Sequence, residues 1–151
     1  MTTVCKIGLI GAGRWGPNLI GAFERIKDCK LLKVADQNKV ALNIIKQKYP
    51  SIYTTLSSSD IFEDETIDAV AICTPVESHA DLVEAALTSG KHVFVEKPFG
   101  LDFQRCSELC KLADQKKLQI VVGHVFLFNA SILALKKIIQ SKEIGEVLHL
   151  E

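Results

Sequence analysis

Lys6-Ile7-Gly8-Leu9-Ile10-Gly11-Ala12-Gly13-Arg14-Trp15-Gly16 decides the fold. The apolar run Val4 to Ile10 passes into Gly11-Ala12-Gly13-Arg14-Trp15-Gly16, a G-x-G-x-x-G spacing. Behind it Leu19, Ile20, Phe23 and Ile26 recur at helical intervals. Strand, glycine turn and helix, in that order, is the context in which this spacing points to dinucleotide binding. Gly11 lets the chain turn sharply off the strand, and Gly13 leaves room for a pyrophosphate to approach the backbone. Gly16 permits close packing of helix on strand. The phosphates would rest on free N–H groups at the helix start, where the macrodipole also favours anions.

Glycines at this spacing also arise by chance, and many turns use glycine for positive φ. Asp36 strengthens the reading. It closes a second apolar run (Leu31, Leu32, Val34, Ala35) at about the distance beyond the glycines that the dinucleotide fingerprint requires. A carboxylate at the tip of a second strand accepts hydrogen bonds from the adenosine ribose hydroxyls and repels a 2′-phosphate. The alternative makes Asp36 only the N-cap of a helix over 38–48. Gln37, not Arg, follows Asp36, which favours NAD, while Lys39 keeps NADP open.

The 151 residues are 48% apolar, enough for one layered core, and 18 basic residues balance 18 acidic ones. No global field exists to recruit nucleic acid or an anionic membrane. Met1-Thr2-Thr3 leads straight into the first strand, which predicts no leader peptide. The apolar stretch Ile120 to Leu135 is too short for a membrane span and is interrupted by His124 and Asn129. Cys5, Cys29, Cys73, Cys106 and Cys110 form no C-x-x-C pair, and no metal site is expected. A reduced, cytoplasmic protein is the expectation.

Further along, helices are expected over 38–48 (Val40, Ala41, Ile44 and Ile45 at helical spacing), 57–63 and 78–89, the last closed by Gly90. Asp102 should cap another, with Phe103, Cys106, Leu109, Cys110 and Ala113 on one face. A final helix covers 131–141, with Ile132, Leu135 and Ile139 inward. Strands are expected at 51–55, 69–73, 92–95 and 120–122. Strands alternating with helices imply right-handed crossovers and a parallel sheet. The predicted fold is a doubly wound, three-layer α/β/α domain.

Ligands of such sheets lie off the carboxyl ends of the strands. That rule gathers the glycine turn, Asp36, Cys73-Thr74-Pro75, Glu96-Lys97 and His124 around one crevice. Lys97 there is either a surface charge at a strand end or an acid–base group. Oxidising a carbinol requires its hydroxyl proton to leave, and a lysine beside a cationic nicotinamide can accept it.

The glycine run, then Cys73-Thr74-Pro75 with His79, then Ser89-Gly90-Lys91-His92-Val93-Phe94-Val95-Glu96-Lys97-Pro98, together resemble the glucose–fructose oxidoreductase / inositol dehydrogenase / rhizopine-catabolism (Gfo/Idh/MocA) family. The G-K-H-V-x-x-E-K-P block is the specific part, and the resemblance spans essentially the whole chain. Trp15-Gly16-x-Asn18 leans toward its nucleotide-sugar branch. The resemblance implies that Lys97 orients a substrate hydroxyl and relays its proton, and that Glu96 reaches the nicotinamide ribose. It also implies that Thr74 and Pro75 line the dinucleotide path, with Arg14, Trp15 and Cys73 beside it. His79 either joins them or is satisfied by backbone. His124 either faces the nicotinamide or is a buried strand-end histidine. Lys97-Pro98 is a candidate cis peptide.

Members of that family carry a C-terminal domain that supplies most of the substrate pocket. The resemblance therefore divides this chain into a dinucleotide-binding domain, 1–145, and the first strand of a second domain, 146–151. The expected function is the cofactor half of an NAD(P)-dependent oxidoreductase acting on a sugar, polyol or nucleotide-sugar carbinol, with little turnover by these residues alone. Homo-oligomers are expected only with the second domain. A dinucleotide-sensing module without chemistry is the alternative, and a methyltransferase of similar topology is a more distant one.

Overall fold

The structure, a computed structural model, describes residues 4–149. Six strands, β1 (Cys5–Ile10), β2 (Cys29–Ala35), β3 (Tyr53–Thr55), β4 (Ala69–Ile72), β5 (His92–Val95) and β6 (Ile120–Val122), form one sheet in the order β3-β2-β1-β4-β5-β6. Every pairing is parallel. The order reverses between β1 and β4, so the crossovers run outward in both directions from that seam and leave a crevice above it. This is the doubly wound Rossmann arrangement.

Alternation along β1 builds the two flanking layers. Ile7 and Leu9 face one side, packing with Ile20 of α1 (Gly16–Phe23) and with Leu42 and Ile45 of α2 (Lys39–Lys48). Ile10 faces the other side, among Ile61 of α3 (Ser59–Phe62), Val83 and Leu87 of α4 (His79–Thr88), and Leu109 of α5 (Phe103–Lys116). Gly8 lies against Ile61, whose Cγ2 would collide with any Cβ there. Burying each such aliphatic side chain is worth about 1.5–3 kcal/mol. The central strands read as continuous apolar runs because both faces are covered.

Local chemistry explains the element boundaries. Asn38 caps α2 by accepting from the N–H groups of Val40 and Ala41, and Asp102 caps α5 by accepting from Arg105 N–H at 2.6 Å. Gly90, at φ +75°, ends the α4 segment, and Lys97-Pro98 is cis. A short 3-10 turn (Val76–Ser78) precedes α4, and another (Val125–Phe128) follows β6.

Several expected faces are corrected. In α2 the buried pair is Leu42 and Ile45, while Val40 and Ile44 point to solvent. Val40 sits in the first turn directly after the cap, on the side away from the sheet. In α5 only Leu109 and Ala113 are buried; Phe103 is 89% exposed and Cys110 is exposed too. The 14-residue helix touches α4 and the sheet along a narrower stripe than its apolar residues could fill. The last helix, α6 (Ala130–Ser141), buries nothing: Ile132 and Leu135 are exposed rather than inward. Residues 146–149 form no strand, and residues 150 and 151 of the expected strand lie outside the described residues.

Candidate functional site

The glycine turn leaves a row of unclaimed donors. Gly11 N–H donates to Ala35 O at 2.9 Å, tying the turn to the end of β2. The N–H groups of Gly13, Arg14 and Gly16 find no acceptor among the described residues. Trp15, at the cap position of α1, offers no side-chain cap, no acid lies in the first turn, and Pro17 carries no N–H. An uncapped helix start of this kind favours an anion. Gly11 has φ +100°, and a Cβ on it would meet Cys73 O at 2.5 Å. A Cβ on Gly13 would meet nothing within 4 Å, so the approach above it is open. Gly16 lies against the Gly11 carbonyl, where a side chain would strike backbone.

Asp36 stands at the carboxyl end of β2, half-buried. Its Oδ2 accepts from Ala12 N–H at 2.5 Å and its Oδ1 from Asn38 N–H at 2.7 Å. Asn38, not Asp36, is the α2 cap, so the capping alternative for Asp36 is excluded. Asp36 and the exposed Gln37 line a cleft of about 390 Å³ that continues along Thr74 and Pro75. Leu56 and Ser58, just past β3, complete its wall. In sequence Leu56 reads as an apolar contact of α3, which hides this role. Its position at a strand's carboxyl end was the available signal.

A second cleft of about 650 Å³ begins at Gly13, Arg14 and Trp15 and ends at Glu96 and Lys97. Its floor is the turn after β4. There the Thr74 and Ser78 hydroxyls lie 2.7 Å apart, and Ser78 donates to Pro75 O at 2.8 Å. His79 is buried beneath, with Nδ1 2.8 Å from Pro98 O and Nε2 2.9 Å from Thr74 O. Both nitrogens therefore face the protein's own carbonyls, which is the backbone-satisfied arrangement, and neither is turned to the cleft. Glu96 lies under Gly123, and its buried Oε1 has no partner among the described residues. Burial, then the Glu96 charge, pushes the Cys73 thiol up to about 11. Lys97 is exposed, and its Nζ has no partner among the described residues.

Beyond Lys97 the cleft opens onto a third hollow of about 550 Å³, where His124 lies with Val125, Phe126, Leu127 and Ile132. His124 is exposed, which corrects the buried alternative. The apolar rim there was not anticipated; Phe126 and Leu127 are 71% and 65% exposed. Among the described residues no three His, Cys, Asp or Glu side chains gather as a metal site, and no helix is long and apolar enough to cross a membrane.

These residues fit an extended dinucleotide. Free amides and an open Gly13 suit a pyrophosphate, a fixed carboxylate suits a ribose diol, and the orphaned Glu96 oxygen suits a second hydroxyl donor. Comparison with known proteins agrees. The family model described as "Oxidoreductase family, NAD-binding Rossmann fold" (GFO_IDH_MocA) matches residues 5–124. An inositol 2-dehydrogenase of Rhizobium meliloti is 37% identical over 142 residues, which span 94% of this chain and 42% of that protein. Among solved structures, myo-inositol 2-dehydrogenase from Lactobacillus plantarum superposes with a TM-score of 0.87 at 27% identity, over 95% of this chain and 43% of that one. Apo scyllo-inositol dehydrogenase from Lactobacillus casei superposes at 0.86 with 28% identity, over 96% and 44%. The chain thus spans about two fifths of the length of the relatives it matches.

Proposed function

Because the chain belongs to the Gfo/Idh/MocA oxidoreductases and is their NAD(P)-binding Rossmann domain, we propose that it serves the oxidation of a ring carbinol of a polyol or sugar of the inositol type, with NAD preferred. The observation that carries this reading is the placement of the unpartnered Lys97 ammonium at the far end of the cleft that starts at the open Gly13 approach. Bound nicotinamide would supply the two-electron acceptor for the carbinol carbon.

The chain's own residues divide the remaining work. Gly13, Arg14 and Gly16 N–H groups hold the pyrophosphate, and Asp36 takes the adenosine ribose hydroxyls. Glu96 Oε1 accepts from the nicotinamide-side ribose. Lys97 Nζ hydrogen-bonds the substrate hydroxyl and takes its proton, after passing its own to solvent at this exposed edge. His124 and the apolar rim mark where substrate lies. Turnover by residues 1–151 alone is expected to be slow, because one wall of that hollow is open and positioning supplies much of an enzyme's rate. The second domain of the relatives would supply the missing wall and the oligomer contacts.

Titration of the chain with NADH and NADPH, followed by energy transfer from Trp15, tests the reading. Tighter binding of NADH is expected. Binding of neither cofactor by the folded chain overturns the assignment, and preference for NADPH overturns the role given to Asp36. Addition of myo-inositol and NAD to wild type and to Lys97→Met then tests the proton role: the slow turnover of wild type should vanish in the variant while NADH affinity holds.

A further inference from the structure

His79 is the most deeply buried polar side chain near the cleft, 1% exposed, and the reaction outlined above leaves it without a task. It starts α4, directly after the Val76–Ser78 turn, and its ring spans the gap between two loops. One loop is Thr74-Pro75 after β4, reached by Nε2; the other is Lys97-Pro98 after β5, reached by Nδ1. Carbonyl oxygens only accept, so each contact is a hydrogen bond when the facing nitrogen carries a proton: one in the neutral ring, both in the imidazolium.

The two loops differ in how else they are held. Thr74 keeps a hydroxyl contact to Ser78, and Ser78 in turn holds Pro75 O. The turn after β5 is tied at its start, where Glu96 N–H donates to Ile72 O at 3.0 Å. Beyond Glu96, and apart from Lys97 N–H to Glu96 Oε2 at 3.3 Å, a contact internal to the turn, the Pro98 carbonyl on His79 is the turn's polar link to the rest of the fold among the described residues. That turn carries Glu96 and Lys97. The groups sharing its cleft that bear or can bear charge are Arg14 from the glycine turn, Cys73 after β4, and Glu96 and Lys97 themselves; Glu77 and Asp81 flank His79 on its own segment.

Resting on the dinucleotide reading above, we propose that His79 is a positioning residue for the nicotinamide half of the site: it pins the Lys97-Pro98 turn to the Thr74-Pro75 turn and so sets where Glu96 and Lys97 face the ligand. The adenosine half, held by Asp36 and the glycine turn, does not depend on it.

The test compares NADH with ADP, which keeps the adenosine and both phosphates but lacks the nicotinamide-side ribose that Glu96 would hold and the nicotinamide itself. Wild type, His79→Ala, His79→Asn and His79→Gln are titrated calorimetrically with each ligand, and their melting temperatures are recorded. Asn places an amide near the Nδ1 position and Gln near Nε2, so each can keep one of the two ties. His79→Ala should lose about tenfold in NADH affinity, the equivalent of one lost hydrogen bond, with ADP changed less than about twofold. Asn and Gln should fall between Ala and wild type. An equal loss for both ligands, or no loss for NADH, overturns the proposal. So does unfolding of all three variants, since the residue would then be required by the fold and not by the site. Wild type binding neither ligand is a different failure, that of the dinucleotide reading itself, and it removes the basis for this one.

Discussion

Asp36 and Ala12, 24 positions apart in sequence, are joined by a 2.5 Å hydrogen bond from the Ala12 N–H to the Asp36 carboxylate. The acid that would hold a ribose thus also holds the glycine turn. Its other oxygen accepts from Asn38 N–H, so the carboxylate is fixed in place before any ligand arrives.

Asp36→Ala should therefore cost stability as well as affinity. Two amides lose their acceptor, each worth about 0.5–1.5 kcal/mol, and a lowered urea midpoint with an unchanged m-value would report it. Asp36→Asn keeps an acceptor and removes the charge. Because its NH2 cannot accept from the second amide, it should recover only part of the stability lost in Asp36→Ala, and it should shift the NADPH-to-NADH affinity ratio toward NADPH; an unchanged ratio would sink the argument that this charge repels a 2′-phosphate.

Gly11 and Gly13 should separate folding from binding. Gly11→Ala must adopt a positive φ and meet the Cys73 carbonyl, so a loss of about 2 kcal/mol or more is expected. Gly13→Ala meets nothing and has no positive φ, so its melting temperature should stay close to wild type. The new methyl would stand where the pyrophosphate approaches, and NADH binding should be lost. If Gly13→Ala binds NADH normally, the phosphate is not there.

Acid should weaken the fold through Asp64. Lys33 Nζ lies 2.8 Å from its carboxylate, which also accepts from the N–H and hydroxyl of Thr66. The Lys33 contact first, then those from Thr66, hold this carboxyl well below the usual carboxylate range. With the folded value depressed, the stabilisation is complete above the unfolded value of about 3.9 and is lost as pH falls toward the folded one. Between pH 5 and about 2.5 the melting temperature of wild type should fall more steeply than that of Asp64→Asn. Parallel curves would contradict this.

The cysteines should label in a definite order. Cys110 is exposed, whereas the Cys73 thiol is pushed up to about 11 and would be roughly a thousandth thiolate at pH 8. Mass spectrometry after brief iodoacetamide treatment should find Cys110 modified and Cys73 untouched. Equal rates at the two would mean that burial does not protect Cys73.

The fold was legible because β1, β4 and β5 are apolar on both faces and because Gly11 to Gly16 and Asp36 mark a particular turn and strand end. Which apolar residues of a helix face inward was less so. Periodicity offers Val40 and Ile44 of α2 and Phe103 of α5 as core, yet the structure leaves all three in solvent. The pattern records where apolar side chains recur, not how wide the neighbouring surface is. Ile132 and Leu135 of α6 show the same limit, since no residue of that helix is fully buried. Within the site, residues that act through side chains at strand ends stand out in the sequence. Leu56, Ser58 and the rim at Val125–Leu127 do not, because apolar or small residues in a loop carry no chemical signature of their own.

The order reversal between β1 and β4 has a kinetic side. The strands meeting there are far apart in the chain; Lys6 and Asp68, which bond across this seam, are separated by 62 positions. Closing so long a loop carries an entropy cost that neighbouring crossovers do not meet. Both apolar clusters draw residues from each side of the seam, Ile10 with Ile72 in one and Leu9 with Ala71 in the other, and the Gly11 turn touches Cys73 only when the two sides have joined. A nascent or partly unfolded chain therefore holds no half-formed version of the cleft, and ligand capture reports on completed folding.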